Sequence, residues 1–306
     1  VGDPGLTAAG ADLLGWWEDR RRDLPWRRTR DPWAVLLCEV MAQQTRVARV
    51  AERWPAMVER YPTPAAMAAD GPAEVVRAWS GLGYNRRALN LHRCAIAVVE
   101  RHGGALPDDL DALLALPGIG PYTARAVLAF AFESDAAIVD TNTARVLARW
   151  AGRRLTPKEV QVAADAALPA GRAWAWNQAM LDLGAGVCAR RSPRCEGCPV
   201  RARCAWWSAG RPAPDPADGS AGVTGGQPPF AGSDREGRGR LVEALRLGPV
   251  RTASLGEVMG WPGDPDRAAA VAARVVADGL AEPVAGTLRL PGSGAARKPL
   301  GGHAPG

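Results

Sequence analysis

Four of the six cysteines, Cys188, Cys195, Cys198 and Cys204, crowd into seventeen residues with the spacing Cys-x6-Cys-x2-Cys-x5-Cys. Four thiolates in so short a loop call for a metal centre. A zinc ribbon shows two Cys-x2-Cys knuckles on a longer spacer, whereas this loop has one knuckle with unequal flanks. That pattern favours a 4Fe-4S cluster, with zinc as the alternative and disulfides as the bland reading. Arg190, Arg191, Arg194, Arg201 and Arg203 lie between the cysteines with only Glu196 opposing them. Held rigidly by a metal they would make a phosphate-binding edge; otherwise they are a solvated loop. The second chemical signal is Leu116-Pro117-Gly118-Ile119-Gly120-Pro121-Tyr122-Thr123-Ala124. Its glycines permit positive φ and close backbone approach, and the helix that follows directs free N–H groups at whatever lies ahead, for which a DNA phosphate is the natural ligand. A plain interhelical turn would read the same way in isolation.

The elements that must position these groups are helices. Over residues 12–207 apolar side chains recur at spacings of three and four, and strand alternation is missing, so an all-α fold is expected. Asp31-Pro32 announces a helix carrying Trp33, Leu36, Leu37, Val40 and Met41 on one side. Further helices are expected near 47–60, 72–80, 85–102, 109–115, 121–132, 142–150, 157–167 and 171–182. Cys38 and Cys94 read as small core residues, and His92 and His102 as surface or helix-end histidines. Residues 208–229 turn to Gly, Pro, Ala, Ser and Asp, the composition of a flexible linker. A helix over 238–247, a second from Ser254 to Trp261, a third from Asp264-Pro265 to Gly279 and a hairpin around Ala285-Gly286 then predict a small winged-helix-like unit over 230–295. Residues 296–306 are expected to be a disordered tail.

At this point the residues resemble a known family. Leu24-Pro25-Trp26-Arg27, Glu39-Val40-Met41-Ala42-Gln43-Gln44-Thr45, Gly81-Leu82-Gly83-Tyr84, the Leu116–Ala124 hairpin, Val139-Asp140-Thr141-Asn142, Trp176-Asn177-Gln178-Ala179-Met180 and the four-cysteine loop follow one another in order. Together they make residues 1–207, and 12–207 most closely, similar to the helix-hairpin-helix DNA glycosylases, and among these to the A/G-specific adenine DNA glycosylases of the MutY family. The resemblance implies excision of adenine mispaired with 8-oxoguanine or guanine in double-stranded DNA, with a 4Fe-4S cluster on the four cysteines.

The chemistry can be argued beside that resemblance. Cleaving a purine from deoxyribose needs a proton for the leaving base and a negative charge beside the developing oxocarbenium ion. Glu39, embedded among Leu36, Leu37, Val40 and Met41, is placed for partial burial, which raises a carboxyl toward the range useful for an acid. Asp140 stands where aspartate caps a helix, which keeps a carboxylate ionised. By resemblance Glu39 protonates the adenine, at N7, and Asp140 stabilises the cationic sugar. The related endonuclease III enzymes carry a Schiff-base lysine where Tyr122 stands here, and no lysine precedes Lys158. A monofunctional glycosylase that leaves an abasic site is therefore expected. The resemblance further implies that Gln178 reads adenine, that Trp26 and Arg27 help form its pocket, that Gln44 and Tyr84 wedge near the opposing base, that Tyr122 and Asn142 line the substrate site, and that Gly118, Gly120 and Thr123 meet the DNA backbone. Trp26 and Tyr84 as core aromatics, and Gln178 bonded only to backbone, are the structural alternatives.

The chain departs from the family pattern in Ala42, usually leucine, and Arg46, often proline. Many members also carry a larger, Nudix-like C-terminal domain that helps recognise 8-oxoguanine, for which residues 230–295 are too few. Arg235, Arg238 and Arg240 form only a modest basic cluster there.

Composition sets the remaining bounds. The 306 residues are 47% hydrophobic and 23% charged, which excludes a disordered, collagenous or coiled-coil chain. The net charge of +6 is uneven: residues 1–207 hold 27 basic and 22 acidic groups, residues 208–306 hold 11 and 10. No run of 18 apolar residues occurs, and the first residues carry Asp3 and Asp12 without a basic n-region. No membrane span and no signal peptide are expected, and a cytoplasmic monomer acting on DNA is the resulting picture. Two other readings compete: an endonuclease III-like glycosylase and lyase for damaged pyrimidines, and a non-catalytic iron-sulfur DNA-binding regulator. Tyr122 and Gln178 speak against the first, and paired carboxylates against the second.

Overall fold

A computed structural model describes residues 4–220, 222–223 and 229–293, with residues 4–10 traced by backbone alone. The chain divides into two compact units, one made of residues 1–39, 108–114 and 119–226, the other of residues 40–107, 115–118 and 227–306. Residues expected to form the domain over 1–207 contribute to both units. The cause is the path of the chain, which leaves the first unit within one helix and returns to it around the hairpin.

The first unit contains α1 (Pro4–Arg20), a 3-10 turn at Pro25–Arg28, most of α2 (Pro32–Ala42), α7 (Leu110–Leu114), α8 (Pro121–Ala131), α9 (Thr141–Ala151), α10 (Pro157–Ala167), α11 (Ala173–Gly186), and α12 (Ala205–Ser208). Its core packs Leu13, Trp17, Ala144, Leu147, Trp150, Trp176, Met180, Leu183 and Val200, and Cys188, Cys198 and Cys204 lie against that core. Helix α11 runs to Gly186, beyond the expected end at 182. Gly184 is the reason: a Cβ there would stand 2.5 Å from the Cβ of Asn142, so the glycine is a close approach between α9 and α11 rather than a breaker.

The second unit contains α3 (Val47–Arg60), α4 (Pro64–Ala68), α5 (Pro72–Ala78) and α6 (Arg86–His102), followed by α13 (Asp234–Leu247), α14 (Leu255–Met259) and α15 (Pro265–Ala277). A three-stranded antiparallel sheet of order β1-β3-β2 completes it, with β1 at Val250–Arg251, β2 at Glu282–Val284 and β3 at Thr287–Arg289. The expected hairpin turns through Ala285 and Gly286, both at positive φ, as a two-residue turn requires. Helix α4, capped by Thr63, and the two-residue β1 were too short for periodicity to reveal. Helix α13 begins four residues earlier than expected, because Gly237 and Gly239 masked a start capped by Ser233.

Residues 230–293 are joined to α5 and α6 rather than standing apart. Arg246 donates to the Val76 carbonyl at 3.0 Å and to Asn85 Oδ1 at 2.7 Å, and Arg77 donates to the Arg246 carbonyl at 3.3 Å. The expected flexible linker is likewise pinned over part of its length. Asp215 accepts from the buried guanidinium of Arg149 at 2.6 Å, and the buried Ser220 hydroxyl accepts from the Leu155 N–H at 3.1 Å. Composition missed this because one carboxylate and one hydroxyl, not apolar bulk, dock the segment. The tail expected over 296–306 lies outside the described residues. Among the described residues no helix is long and apolar enough to cross a membrane.

Candidate active site

Helix α2 is apolar nearly all round, so Glu39, near its C-terminal end, is only 8% exposed. Burial pushes its carboxyl up to about 7; a hydrogen bond from Tyr122 works against that rise and the negative charge of Asp140 adds to it. Tyr122 sits in the first turn of α8, and burial together with Glu39 and Asp140 drives its phenol well above the ordinary tyrosine range. It is therefore a neutral donor.

Asp140 caps α9. Its Oδ1 accepts from the Thr143 N–H at 2.7 Å and its Oδ2 from Asn142 Nδ2 at 2.8 Å. The approach to Asp140 is fixed by Asn177 on α11, a residue whose motif carried no hint of this role. It accepts from the Ile138 N–H at 3.0 Å and donates to the Ala136 carbonyl at 2.9 Å. Glu39, Tyr122, Asp140 and Asn142 thus form one constellation, with a carboxyl that takes up a proton near neutrality set beside a second acid.

Other expected residues take different places. Trp26 is half-buried in the 3-10 turn, and Gln178 is buried on α11. Arg27 is turned onto Asp182 in a two-pronged ion pair at 2.8 and 2.9 Å, which Arg22 and the Trp17 indole N–H join. Its guanidinium anchors α11 to the 3-10 turn, a packing task that the short motif could not reveal, since Asp182 is 155 residues away. Gln44 and Tyr84 belong to the second unit, where both line one cavity and both hold left-handed backbone, φ 55 and 44.

Gly118 meets the expectation for a hairpin glycine: its φ is +77 and a Cβ would lie 2.7 Å from the Cβ of Asn90. Gly120 does not need positive φ; it caps α8 in extended conformation, and a Cβ there would meet nothing within 4 Å. Thr123 is buried, so its hydroxyl faces protein and only its main chain stays at the helix start. His92 is also buried, its ring bonded to the Asp70 carbonyl at 2.9 Å, which corrects the reading of it as a surface or helix-end group. His102 does lie in the last turn of α6, and Cys38 and Cys94 are core residues.

Cys188, Cys195, Cys198 and Cys204 are free thiols lining one pocket, walled by Val146, Trp150, Leu183, Val200 and Trp206. Among the described residues no group of three or more His, Cys, Asp or Glu is already set to hold a metal ion. The donor chemistry nevertheless fits one: four sulfurs face an apolar-walled space, and although burial pushes the Cys188 thiol up, the Arg149 guanidinium 3.3 Å from its Sγ works against that rise. Arg145 and Arg149, one turn apart on α9, hold this loop through the carbonyls of Cys188, Ala189 and Arg190. Sequence reading missed both, because arginines on an apolar helix carry no motif. Of the loop arginines, Arg201 pairs with Glu196, Arg203 with Asp12, and Arg194 bonds the Gly186 carbonyl.

Helical packing, a glycine hairpin, paired acids and a four-cysteine loop define the class of base-excision DNA repair proteins, and the comparisons agree. Residues 37–169 match the HhH-GPD superfamily base excision DNA repair protein model. The adenine DNA glycosylase of Mycolicibacterium smegmatis (strain ATCC 700084 / mc(2)155) is 41% identical over 96% of this chain and 100% of its own length. The Homo sapiens adenine DNA glycosylase is 37% identical over 65% of this chain and 39% of its own. Among solved structures, a thermostable thymine-DNA glycosylase superposes with TM-score 0.64 at 31% identity, covering 67% of this chain and 97% of that one. A non-covalent endonuclease III–DNA complex gives 0.58 at 26%, covering 65% and 93%. The chain belongs to the adenine DNA glycosylase family of the HhH-GPD superfamily.

Proposed function

We propose that this chain removes adenine mispaired with 8-oxoguanine or guanine in double-stranded DNA, and that Glu39 and Asp140 carry the chemistry. The observation that supports it is the Glu39 carboxyl pushed to about 7 beside Tyr122 and Asp140. The base is first extruded from the stack. Glu39, protonated, gives its proton to N7 of the adenine; the C1′–N9 bond breaks, and its electron pair leaves with the base. Asp140, at the helix cap, lies where negative charge offsets the oxocarbenium ion. Water then bonds C1′ and returns a proton to the Glu39 carboxylate. The product is free adenine and an abasic site. Tyr122 offers no amine for a Schiff base, so the strand is left uncut.

The four cysteines would hold a 4Fe-4S cluster, whose contribution is to fold the loop that carries Arg190 to Arg203. Those arginines then bear on DNA phosphates, and the start of α8 at Gly120 on another. Gln178 and Trp26 serve the adenine, and Gln44 and Tyr84 the base it leaves behind.

The test uses anaerobically purified protein on end-labelled duplexes holding A opposite 8-oxoguanine, A opposite G, and thymine glycol opposite A, with and without alkali. Cleavage at adenine only after alkali is expected. Strand cutting at thymine glycol without alkali would overturn the reading.

A further inference from the structure

The side chain of Arg149, on α9, is only 2% exposed, and a buried cation needs partners for its N–H groups. They come from two directions. The cysteine loop offers the Ala189 and Arg190 carbonyls at 2.9 and 3.0 Å and the Cys188 Sγ at 3.3 Å. The other edge of the guanidinium is taken by Asp215, whose oxygens accept from Nε at 3.1 and 3.2 Å and from Nη2 at 2.6 Å. This side-on fork leaves Nη1 to the loop, where it meets both the Ala189 carbonyl and the sulfur.

Residues 208–220 form a strap shaped to present that carboxylate. Asp215 Oδ1 also accepts from the Ala217 N–H at 2.9 Å, the Trp206 indole N–H donates to the Pro212 carbonyl at 3.0 Å, and the Ser220 hydroxyl donates to the Pro216 carbonyl at 2.7 Å. Pro216 and Ala217, next to the acid, are buried, and the Arg149 guanidinium lies 4.8 Å over the Trp206 ring. Fastening a strap does not require a charge, since Ser220 does so with a hydroxyl. The charge of Asp215 has a different consequence. A guanidinium facing only neutral carbonyls and a sulfur would exert its whole positive charge on that sulfur; shared with a carboxylate, it exerts less.

Resting on the cluster reading above, we propose that Asp215 is a positioning residue for the metal centre: it fixes the plane of the Arg149 guanidinium beside Cys188 and offsets its charge, and so sets the potential of the bound group and the rate at which that group is lost. Net charge and hydrogen bonds to the sulfurs are among the properties that set such a potential, and partners of the ligands also govern how firmly a metal is held. Positive charge beside the site favours the reduced form, which carries one more electron. Arg149 keeps the Ala189 and Arg190 carbonyls when the carboxylate is neutralised, so it stays beside the sulfur with its charge uncompensated. The strap is then part of the metal site, although it contributes no ligand to it.

The experiment uses the full-length holoprotein, purified anaerobically, as the parent and as Asp215→Asn, Asp215→Glu, Asp218→Asn and Ser220→Ala. Asn keeps an oxygen for Arg149 and removes only the charge. Asp218 is exposed on the same strap, and Ser220 fastens the strap away from Arg149. The one-electron midpoint potential is read at an electrode, and iron release is followed in excess chelator. In Asp215→Asn the potential is expected to move to a more positive value and iron to leave about tenfold faster. Asp215→Glu should restore both, and Asp218→Asn and Ser220→Ala should leave the potential where it is. An unmoved or more negative potential in Asp215→Asn would overturn the proposal and leave a packing clasp only, as would an equal shift in Asp218→Asn or iron release no faster than in Ser220→Ala. Iron and sulfide are assayed first. Zinc in their place refutes the cluster reading, and zinc release from the same variants then tests Asp215 by itself, with equal rates in Asp215→Asn and Ser220→Ala overturning its role.

Discussion

The Tyr122 hydroxyl is hydrogen-bonded to the Glu39 carboxyl, and Asp140 adds its charge to the same carboxyl. Burial raises the proton affinity of Glu39, the phenol restrains that rise, and the balance lies near neutrality. A general acid works best when its pKa is close to the working pH.

Replacing Glu39 by Gln keeps the side chain's shape and removes its proton. Base release is expected to fall by about 10² to 10⁴-fold while duplex affinity is retained. Single-turnover excision and equilibrium binding on the same duplex check this; equal release by the variant would show that Glu39 is not the acid.

The pH dependence follows from the sign of the shift. The folded-state value, about 7, lies above the ordinary 4.5, so Glu39 is protonated below about 7 and excision falls tenfold per unit above it. Stability follows the same proton: the protonated form is retained in the fold, and its contribution is complete below 4.5 and lost as pH rises through about 7. Denaturant titration at pH 8 should accordingly find Glu39→Gln more stable than the parent, by about 3 kcal/mol at most. Tyr122→Phe removes the restraining hydrogen bond, so the alkaline limb of its rate profile should move upward; a downward move would show that the phenol acts otherwise.

Asp215 is the clasp of the segment that composition marks as a linker. Asp215→Ala takes away the carboxylate facing a guanidinium whose side chain is 2% exposed. A loss of about 2 to 3 kcal/mol is expected, at the lower side of values for broken buried pairs because Arg149 keeps the Ala189 and Arg190 carbonyls. Urea unfolding measures it, and limited proteolysis should then cut within 208–220, where the parent resists.

Arg191 is exposed on the cysteine loop. If it meets a DNA phosphate, Arg191→Ala lowers the slope of log affinity against log salt by about 0.9. A weaker complex with an unchanged slope would mean that the loop was disturbed instead.

Local chemistry is written plainly in the chain. The Asp31-Pro32 helix start, the Gly118 turn, the Asp140 cap and the helix boundaries at 47–60 and 157–167 follow from capping, positive φ and apolar periodicity, which act over a few residues. The order of the motifs likewise singles out Glu39, Tyr122 and Asp140. Only tertiary packing could decide what these residues do to one another. Burial of Glu39 against α8 and α9 creates its raised proton affinity, and a carboxylate 155 residues away captures Arg27. Asp215 ties down an apolar-poor segment, and Gly184 lets α9 and α11 touch. Each depends on desolvation and on charges brought together over long separations, and neither quantity exists until the chain has folded.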